Sequence, residues 1–492
     1  MARSVARLGI VVSLLASMGL ALAPGGSAAT AAPTLKMFTI LHHSDVVRCC
    51  DDPSIFVNPG IYIASVNGAF EIDAARDALG KVTLNLVRRS SSGVQVVKKI
   101  NPNGPASFFE GLPAFFHAVL KDSSGNTLVQ NDSGFCPSGG FFGGGFFGGG
   151  SRSDPTGPDR PTYPFFCGSD LTKRTPWGLD QGWADQLNLF LDGTNVSDGD
   201  YTLTVSIAPT YVRQLGIDPA QASAWTSITV TTETCDPQFG CAGPHAAVRS
   251  NRGEGPGRAA AGEAQGNAGL TGNGTPNLEA LPAHSFSVEN NPNSDGRDYL
   301  DFGATIWNGG TGPLVLEGFR QGDQPVMNAV QFIYNNGVPG APQNVGQLEF
   351  DTRPGHEHWH LEDVAQYDLL DATGARVVLS EKQSFCLAPT DPVDLLAPGS
   401  DWQPDRIGLF SACAGAGSIW LREVLPAGWG DTYFQGVAGQ SFDITSLPNA
   451  TYQIRVTTDP FHNLLETNYN DNLSVVSVKL GGTPGSRTVS LA

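Results

Sequence analysis

Short runs rich in Val, Leu, Ile and Thr, each soon cut off by glycine, proline or a polar turn, recur along the whole chain. Lys81–Val87, Tyr201–Ile207, Tyr452–Val456 and Ser474–Lys479 are examples. Branched side chains of this kind are stiff and pack well on a pleated surface. With 60 glycines and 34 prolines among 492 residues, little of the chain is left for uninterrupted helices, and amphipathic helical spacing is scarce. The pattern predicts an all-β protein of strands joined by turns. The length allows two or three domains, each with its own core.

The stretch from Pro244 to Thr275 is rich in Gly, Ala and Asn and has no apolar periodicity, so residues 233–275 read as a flexible linker. It would separate a β-sandwich-like domain over residues 34–232 from a second over 276–483. The two flanks echo each other. Phe116–Gly125 parallels Gln366–Gly374, Phe135-Cys136 parallels Phe385-Cys386, Trp177-Gly178 parallels Trp429-Gly430, and Asp192–Tyr201 parallels Asp443–Tyr452. The offsets run only from 249 (Asp122 to Asp371) to 252 (Trp177 to Trp429). These echoes suggest an internal duplication; shared turn chemistry between unrelated sandwiches is the other reading.

Residues 1–31 read as an export signal. Arg3 and Arg7 precede an apolar stretch from Leu8 to Ala23, and small residues follow from Gly25 to Ala32. Cleavage is expected after Ala29 or Ala31. No later segment has the apolar length of a membrane span, so a secreted, extracellular protein is expected. Eight cysteines in an exported chain point to disulfides, and no Cys-x-x-Cys pair suggests structural zinc. A Cys136–Cys167 bridge would close the loop holding the insert Gly139–Gly150, whose phenylalanines suit local apolar cover or a partner patch. A Cys386–Cys413 bridge would match it, each worth on the order of 3 kcal/mol. Cys235 and Cys241 would close a small loop at the linker entrance, leaving Cys49 and Cys50 unassigned. The 47 acidic against 29 basic residues disfavour nucleic acid and anionic membranes as partners; they suit either a cationic partner or simple solubility.

The chemistry-bearing motif is Gly355-His-Glu-His-Trp-His-Leu361. On an extended strand His356, His358 and His360 share one face, with Glu357 and Trp359 on the other. Imidazoles spaced about 7 Å apart along a strand form a nitrogen cage that suits copper or zinc. The chain has only nine histidines, so three at strict two-residue spacing favour a metal site over a chance cluster. At the matching offset the first half has Ser107, Phe109 and Gly111, which confines metal chemistry to the second half. A non-catalytic copper-binding module and a tri-histidine zinc hydrolase both fit the histidines alone.

Downstream come Tyr367-Asp-Leu-Leu-Asp371, Lys382-Gln-Ser-Phe-Cys386-Leu387, Gly430-Asp-Thr-Tyr433 and Phe442-Asp-Ile-Thr445. In that order and spacing, from about Thr275 to Leu480, the chain resembles the catalytic domain of the lysyl oxidase family, copper-dependent amine oxidases that turn lysine side chains into aldehydes. The resemblance implies Cu(II) on His356, His358 and His360. It also implies that Lys382 and Tyr433 join as a protein-derived lysine tyrosylquinone (LTQ), the catalytic cofactor. A protein-lysine 6-oxidase would follow, consuming O2 and releasing H2O2 and NH3, with lysine-containing cationic proteins or small primary amines as substrates. Both Lys382 and Tyr433 are expected in loops. Asp363 and Asp368 are candidate bases by nearness in sequence, and neither is assigned.

The chain departs from the family in places. Animal members carry a histidine where this chain has Gln366 and a cysteine where it has Gly355. Trp359 replaces a tyrosine, a change that the outer face of a strand should tolerate. Cys386 and Cys413 are the only cysteines of this region, which favours their pairing. In related enzymes an Asp-Leu pair and a C-terminal acidic segment hold calcium. The matching Asn277, Leu278, Glu466, Asn468, Asp471 and Asn472 make a candidate calcium site here, with acids and amides partly exchanged and weaker binding expected. A polar turn is the other reading.

Overall fold

The computed structural model describes residues 32–48, 53–102, 109, 111–138, 150–155, 157–158, 160–164, 167–233, 274–322, 324–335, 337–353, 357–380, 384–403, 413–436 and 439–492. The export signal, Cys49, Cys50, Cys235, Cys241, Ser107, nearly all of the glycine-phenylalanine insert and the linker, and the site residues His356 and Lys382 lie outside the described residues.

The described chain is all-β, as the run lengths predict. Its only α-helix among the described residues, Pro209–Leu215, has seven residues. Pro209 presets the backbone of the first turn, and Gly216 ends the helix in the left-handed conformation at φ 63°. The predicted strands are present and somewhat longer than the runs that announced them: Val82–Ser90, Gly199–Ile207, Thr451–Thr458 and Leu473–Thr483. Thr451–Thr458 shows why they form. Tyr452, Ile454, Val456 and Thr458 are buried while the residues between them are not, the two-residue alternation of a sheet with one face on a core.

Beside two small clusters, two large apolar cores result among the described residues. One draws its residues from Leu35 to Val230, the other from Leu278 to Leu480. In the first half, a five-stranded sheet runs in the order His43–Arg48, Ser223–Thr232, Gly199–Ile207, Leu112–Lys121, Thr127–Phe135. In the second half the order is Ser486–Leu491, Leu473–Thr483, Thr451–Thr458, Ala365–Leu370, Arg376–Leu379. Both sheets close the same corner: the Tyr201 hydroxyl donates to the Ser197 carbonyl at 2.7 Å and the Tyr452 hydroxyl to the Pro448 carbonyl at 2.9 Å. They differ at one edge, where His43–Arg48 runs parallel to its neighbour and Ser486–Leu491 antiparallel. The disulfides Cys136–Cys167 and Cys386–Cys413 occupy matching places in the two halves. Where the second half carries its second histidine, the first has Phe109, buried edge-on against Trp177.

The halves meet along the segment 391–403. Lys173 N–H donates to the Val393 carbonyl at 2.7 Å, and Leu395 N–H donates to the Arg174 carbonyl at 2.8 Å. The Thr172 hydroxyl reaches the Pro392 carbonyl at 2.7 Å. Tyr163 stacks on Trp402, and the Arg89 guanidinium lies over the same indole. On its other side the segment pairs with the strand Trp429–Tyr433, with Asp391 opposite Gly430 and Pro392 opposite Trp429. The first half is therefore one hydrogen-bonded layer away from the strand that ends in Tyr433.

Candidate metal and cofactor site

The strand His358–Leu361 pairs with Gln343–Asp351, setting His360 opposite Glu349 and His358 opposite Asp351. Alternation places the His358 and His360 rings together, with centroids 4.5 Å apart and planes tilted by 70°. His360 is buried, and its Nδ1 lies 3.6 Å from the Asp351 carboxylate. Arg353 holds that carboxylate with two nitrogens, Nε at 3.0 Å and Nη2 at 2.5 Å. A carboxylate beside one imidazole nitrogen orients the ring and leaves the other nitrogen for a metal. These donors fit copper in kind: two adjacent imidazoles from one strand, with His356 a further two residues back in the sequence.

Trp359 corrects an expectation. It is not on an outer face but fully buried, packed edge-on against Phe350 and donating from Nε1 to the Gly415 carbonyl at 3.0 Å. The strand is covered on both sides because a second layer, including Arg320 over the indole, closes on it. Replacement of an aromatic at this position is a packing matter.

Tyr433 also differs from the sequence reading. It is the last residue of the strand Trp429–Tyr433 and not part of a loop. Its hydroxyl accepts the Cys386 N–H at 3.0 Å, and its ring stands edge-on to Phe385 with centroids 4.2 Å apart. Burial, with the Asp431 carboxyl adding to it, pushes the hydroxyl far above the ordinary phenol range, so it is protonated at neutral pH. Cys386 is bonded to Cys413, and a ring nitrogen of His358 and both sulfurs lie within 4.8 Å of one another. Oxidised sulfurs are not thiolate ligands, so this group is an imidazole near a disulfide and not a Cys/His metal site. Cys386 thus has its sulfur within 4.8 Å of a His358 ring nitrogen and its amide on the Tyr433 hydroxyl.

Neither candidate base faces this spot. Asp363 is exposed in the turn after His358–Leu361, at φ 60°. Asp368 is buried, but Arg376 and Arg455 neutralise it and Gln366 donates to it at 3.0 Å. Its strand neighbour Tyr367 points the other way, into the aromatic cluster with Phe302 and Phe385. The sequence reading missed Glu423 and Asp431, two buried acids close to Tyr433. An alternation signal existed: Leu421, Glu423 and Leu425 fall on one face of their strand.

The six candidate calcium residues do gather and bond largely to one another, while the buried Asp471 Oδ1 and Asn472 Oδ1 have no hydrogen-bond partner among the described residues. The Asn277 and Asn468 amides both donate to Asp471 Oδ2, at 3.0 and 2.7 Å. The Asn472 amide donates to Glu466 Oε1 at 2.7 Å, and Leu278 N–H donates to Glu466 Oε2 at 2.6 Å. Asp459, which the sequence reading did not include, lies beside Glu466. The oxygens suit calcium in kind, yet the Asn277, Asn468 and Asn472 amide hydrogens occupy Asp471 Oδ2 and Glu466 Oε1. Binding would require those amides to turn over.

The lysyl oxidase family profile matches residues 326–488. Lysyl oxidase homolog 4 of Mus musculus is 27% identical over 151 residues, 30% of this chain and 18% of that protein. Lysyl oxidase homolog 2 of Gallus gallus is 28% identical over 142 residues, covering 29% and 16%. Lysyl oxidase homolog 3B of Danio rerio is 26% identical over 149 residues, covering 28% and 17%. The chain thus spans less than a fifth of the length of these curated relatives, and the family profile leaves its first half unmatched. The C-terminal region of the chain, residues 326–488, thus carries a lysyl oxidase family domain.

Proposed function

We propose that this protein is a secreted copper-dependent amine oxidase that converts lysine side chains, or small primary amines, to aldehydes. One observation supports the reading above all. Cys386 lies beside both a candidate copper ligand and the candidate cofactor tyrosine, its sulfur within 4.8 Å of a His358 ring nitrogen and its amide donating to the Tyr433 hydroxyl. When bound, copper and the Lys382–Tyr433 quinone supply the oxidation of the amine by O2, with H2O2 and NH3 released.

The chain's own residues do the rest. His358 and His360, with His356, hold the ion, and Asp351 orients His360. Phe385 and the Cys386 amide fix the Tyr433 ring. Lys382 precedes Cys386 by four residues, a short tether to the tyrosine's own partner. The net charge of −18 favours encounter with cationic, lysine-rich proteins. Two disulfides suit an oxidising, extracellular setting, and no helix among the described residues is long and apolar enough to cross a membrane.

Intact mass and peptide mapping of the copper-loaded protein test this reading. A Lys382–Tyr433 crosslinked peptide with quinone absorbance is the expected result. Two unmodified peptides would turn the reading toward a non-catalytic copper module or a zinc hydrolase.

A further inference from the structure

Two buried acids near Tyr433 have no part in the function so far. Glu423, in the strand Trp420–Leu425, is fully buried, and Asp431 is 2% exposed. Alternation sets Glu423 on the face of Leu421 and Leu425, both core residues. Asp431 and Tyr433 stand two apart on one strand, so they share a face as well. Glu423 Oε2 accepts the Leu387 N–H at 3.1 Å, while the amide just before it, Cys386, donates to the Tyr433 hydroxyl at 3.0 Å. Consecutive amides thus hold an acid and the phenol. Glu423 Oε1 has no hydrogen-bond partner among the described residues.

Two ionised carboxylates in such a place would cost several kcal/mol each. A pair carrying one proton avoids most of that cost, because the neutral acid has an O–H to donate. We propose that Glu423 and Asp431 form a carboxyl pair holding one proton, and that this pair is the proton acceptor for the Tyr433 hydroxyl.

In the transfer the phenolic O–H bond breaks, a carboxyl O–H bond forms, and the negative charge passes from the pair to the phenolate oxygen. No oxidant is needed for this step. Burial pushes Glu423 well above the carboxylate range, the Leu387 amide opposing and Asp431 adding to the rise. The other titratable groups bearing on Tyr433 and Asp431 are Tyr367, itself fully buried, and Asp351. The proposal rests on the reading that Tyr433 is the residue converted to the cofactor, since ring oxidation requires loss of that proton.

The first test uses full-length, copper-free protein and infrared spectra with and without 13C-labelled glutamate. Recording well above the Glu466 value of about 8 removes that residue's contribution. A protonated-carboxyl band that moves with the label, and is missing in Glu423→Gln, is expected. Absence of such a band overturns the pair. The labelled wild type answers even where the variant fails to fold; glutamine keeps the side chain's size and the acceptor for Leu387.

The second test follows the crosslinked mass after copper addition across pH. Glu423→Gln and Asp431→Asn should bind copper at unchanged stoichiometry and crosslink at least tenfold more slowly, with the acid limb of the rate profile lost in Glu423→Gln. Wild-type rates with a wild-type profile overturn the acceptor role. A copper-loaded wild type that never crosslinks defeats the amine oxidase reading and the acceptor role together, while the infrared band still decides whether the pair holds a proton.

Discussion

Arg174 of the first half and Asp394 of the second are joined by a two-pronged ion pair, with Nε to Oδ1 at 3.0 Å and Nη2 to Oδ2 at 2.7 Å. The two carboxylate oxygens match the guanidinium fork, and the backbones on either side are bridged as well, Leu395 N–H donating to the Arg174 carbonyl. The segment held in this way is the one that pairs with the strand of Tyr433. The first half therefore buttresses the site's framework.

Breaking this pair should loosen the buttress unequally. Arg174 is about half exposed, so Arg174→Ala should cost no more than about 0.5–1 kcal/mol, less at high salt. Asp394 is more buried and also accepts the Leu396 N–H. Asp394→Ala should cost roughly 1–3 kcal/mol because two donors lose their partner. Urea unfolding of both single variants and the double variant gives the coupling. A double variant that costs the full sum of the two singles would mean that the pair contributes nothing of its own.

Tyr433→Phe should abolish aldehyde formation and crosslinking while leaving copper stoichiometry intact, because the imidazoles are untouched. It also leaves the Cys386 N–H without its acceptor, at a cost of about 1–3 kcal/mol. His358→Ala should lose both copper and crosslink. Metal analysis beside peptide mapping separates the two variants. Copper loss in Tyr433→Phe would mean that the phenol supports the metal directly.

Much of this could be read from the residues. Strand alternation was legible wherever one face is polar, as in Thr451–Thr458. It failed for Trp359, because a strand buried on both sides carries no polar face to mark its environment. Tyr433 reads as loop from sequence because Gly430 and Asp431 are turn formers in isolation; pairing with Ala304–Trp307 overrides that propensity. The contact between halves had no sequence signal, since Tyr163 and Trp402 are ordinary aromatics until folding stacks them. Glu423 was detectable in principle, as an acid on an apolar face.

Asp301 gives a pH test of stability that is independent of metal. It sits on the central strand Asp298–Asn308, 7% exposed, with Oδ2 lacking a partner among the described residues. Burial, then Glu289, push its carboxyl up to about 7 from 3.8. Because the folded state holds the proton more tightly than the unfolded one, stability is full below about pH 4 and declines as pH rises toward 7. Asp301→Asn should therefore stabilise the protein at pH 8, on the order of 1–2 kcal/mol given partial screening by water, and do little at pH 4. Melting temperatures of the pair across pH measure this. An equal difference at both pH values would mean that ionisation is not the cause.

Calcium offers the last test, and pH sets its direction. Glu466 is pushed up to about 8 by burial, with Asp459 beside it opposing a second charge. A cation needs that carboxylate ionised and the Asn468, Asn277 and Asn472 amides turned away from the acids they now serve. Calcium should therefore raise the melting temperature little at pH 6 and more at pH 9, as the Glu466 proton leaves. The double variant Asn277→Asp with Asn468→Asp adds two carboxylates and removes two competing donors. It should destabilise the calcium-free protein by like-charge repulsion and gain at least tenfold in calcium affinity by calorimetry. A calcium response that is equal at both pH values and unchanged in the double variant would place the ion elsewhere on the molecule.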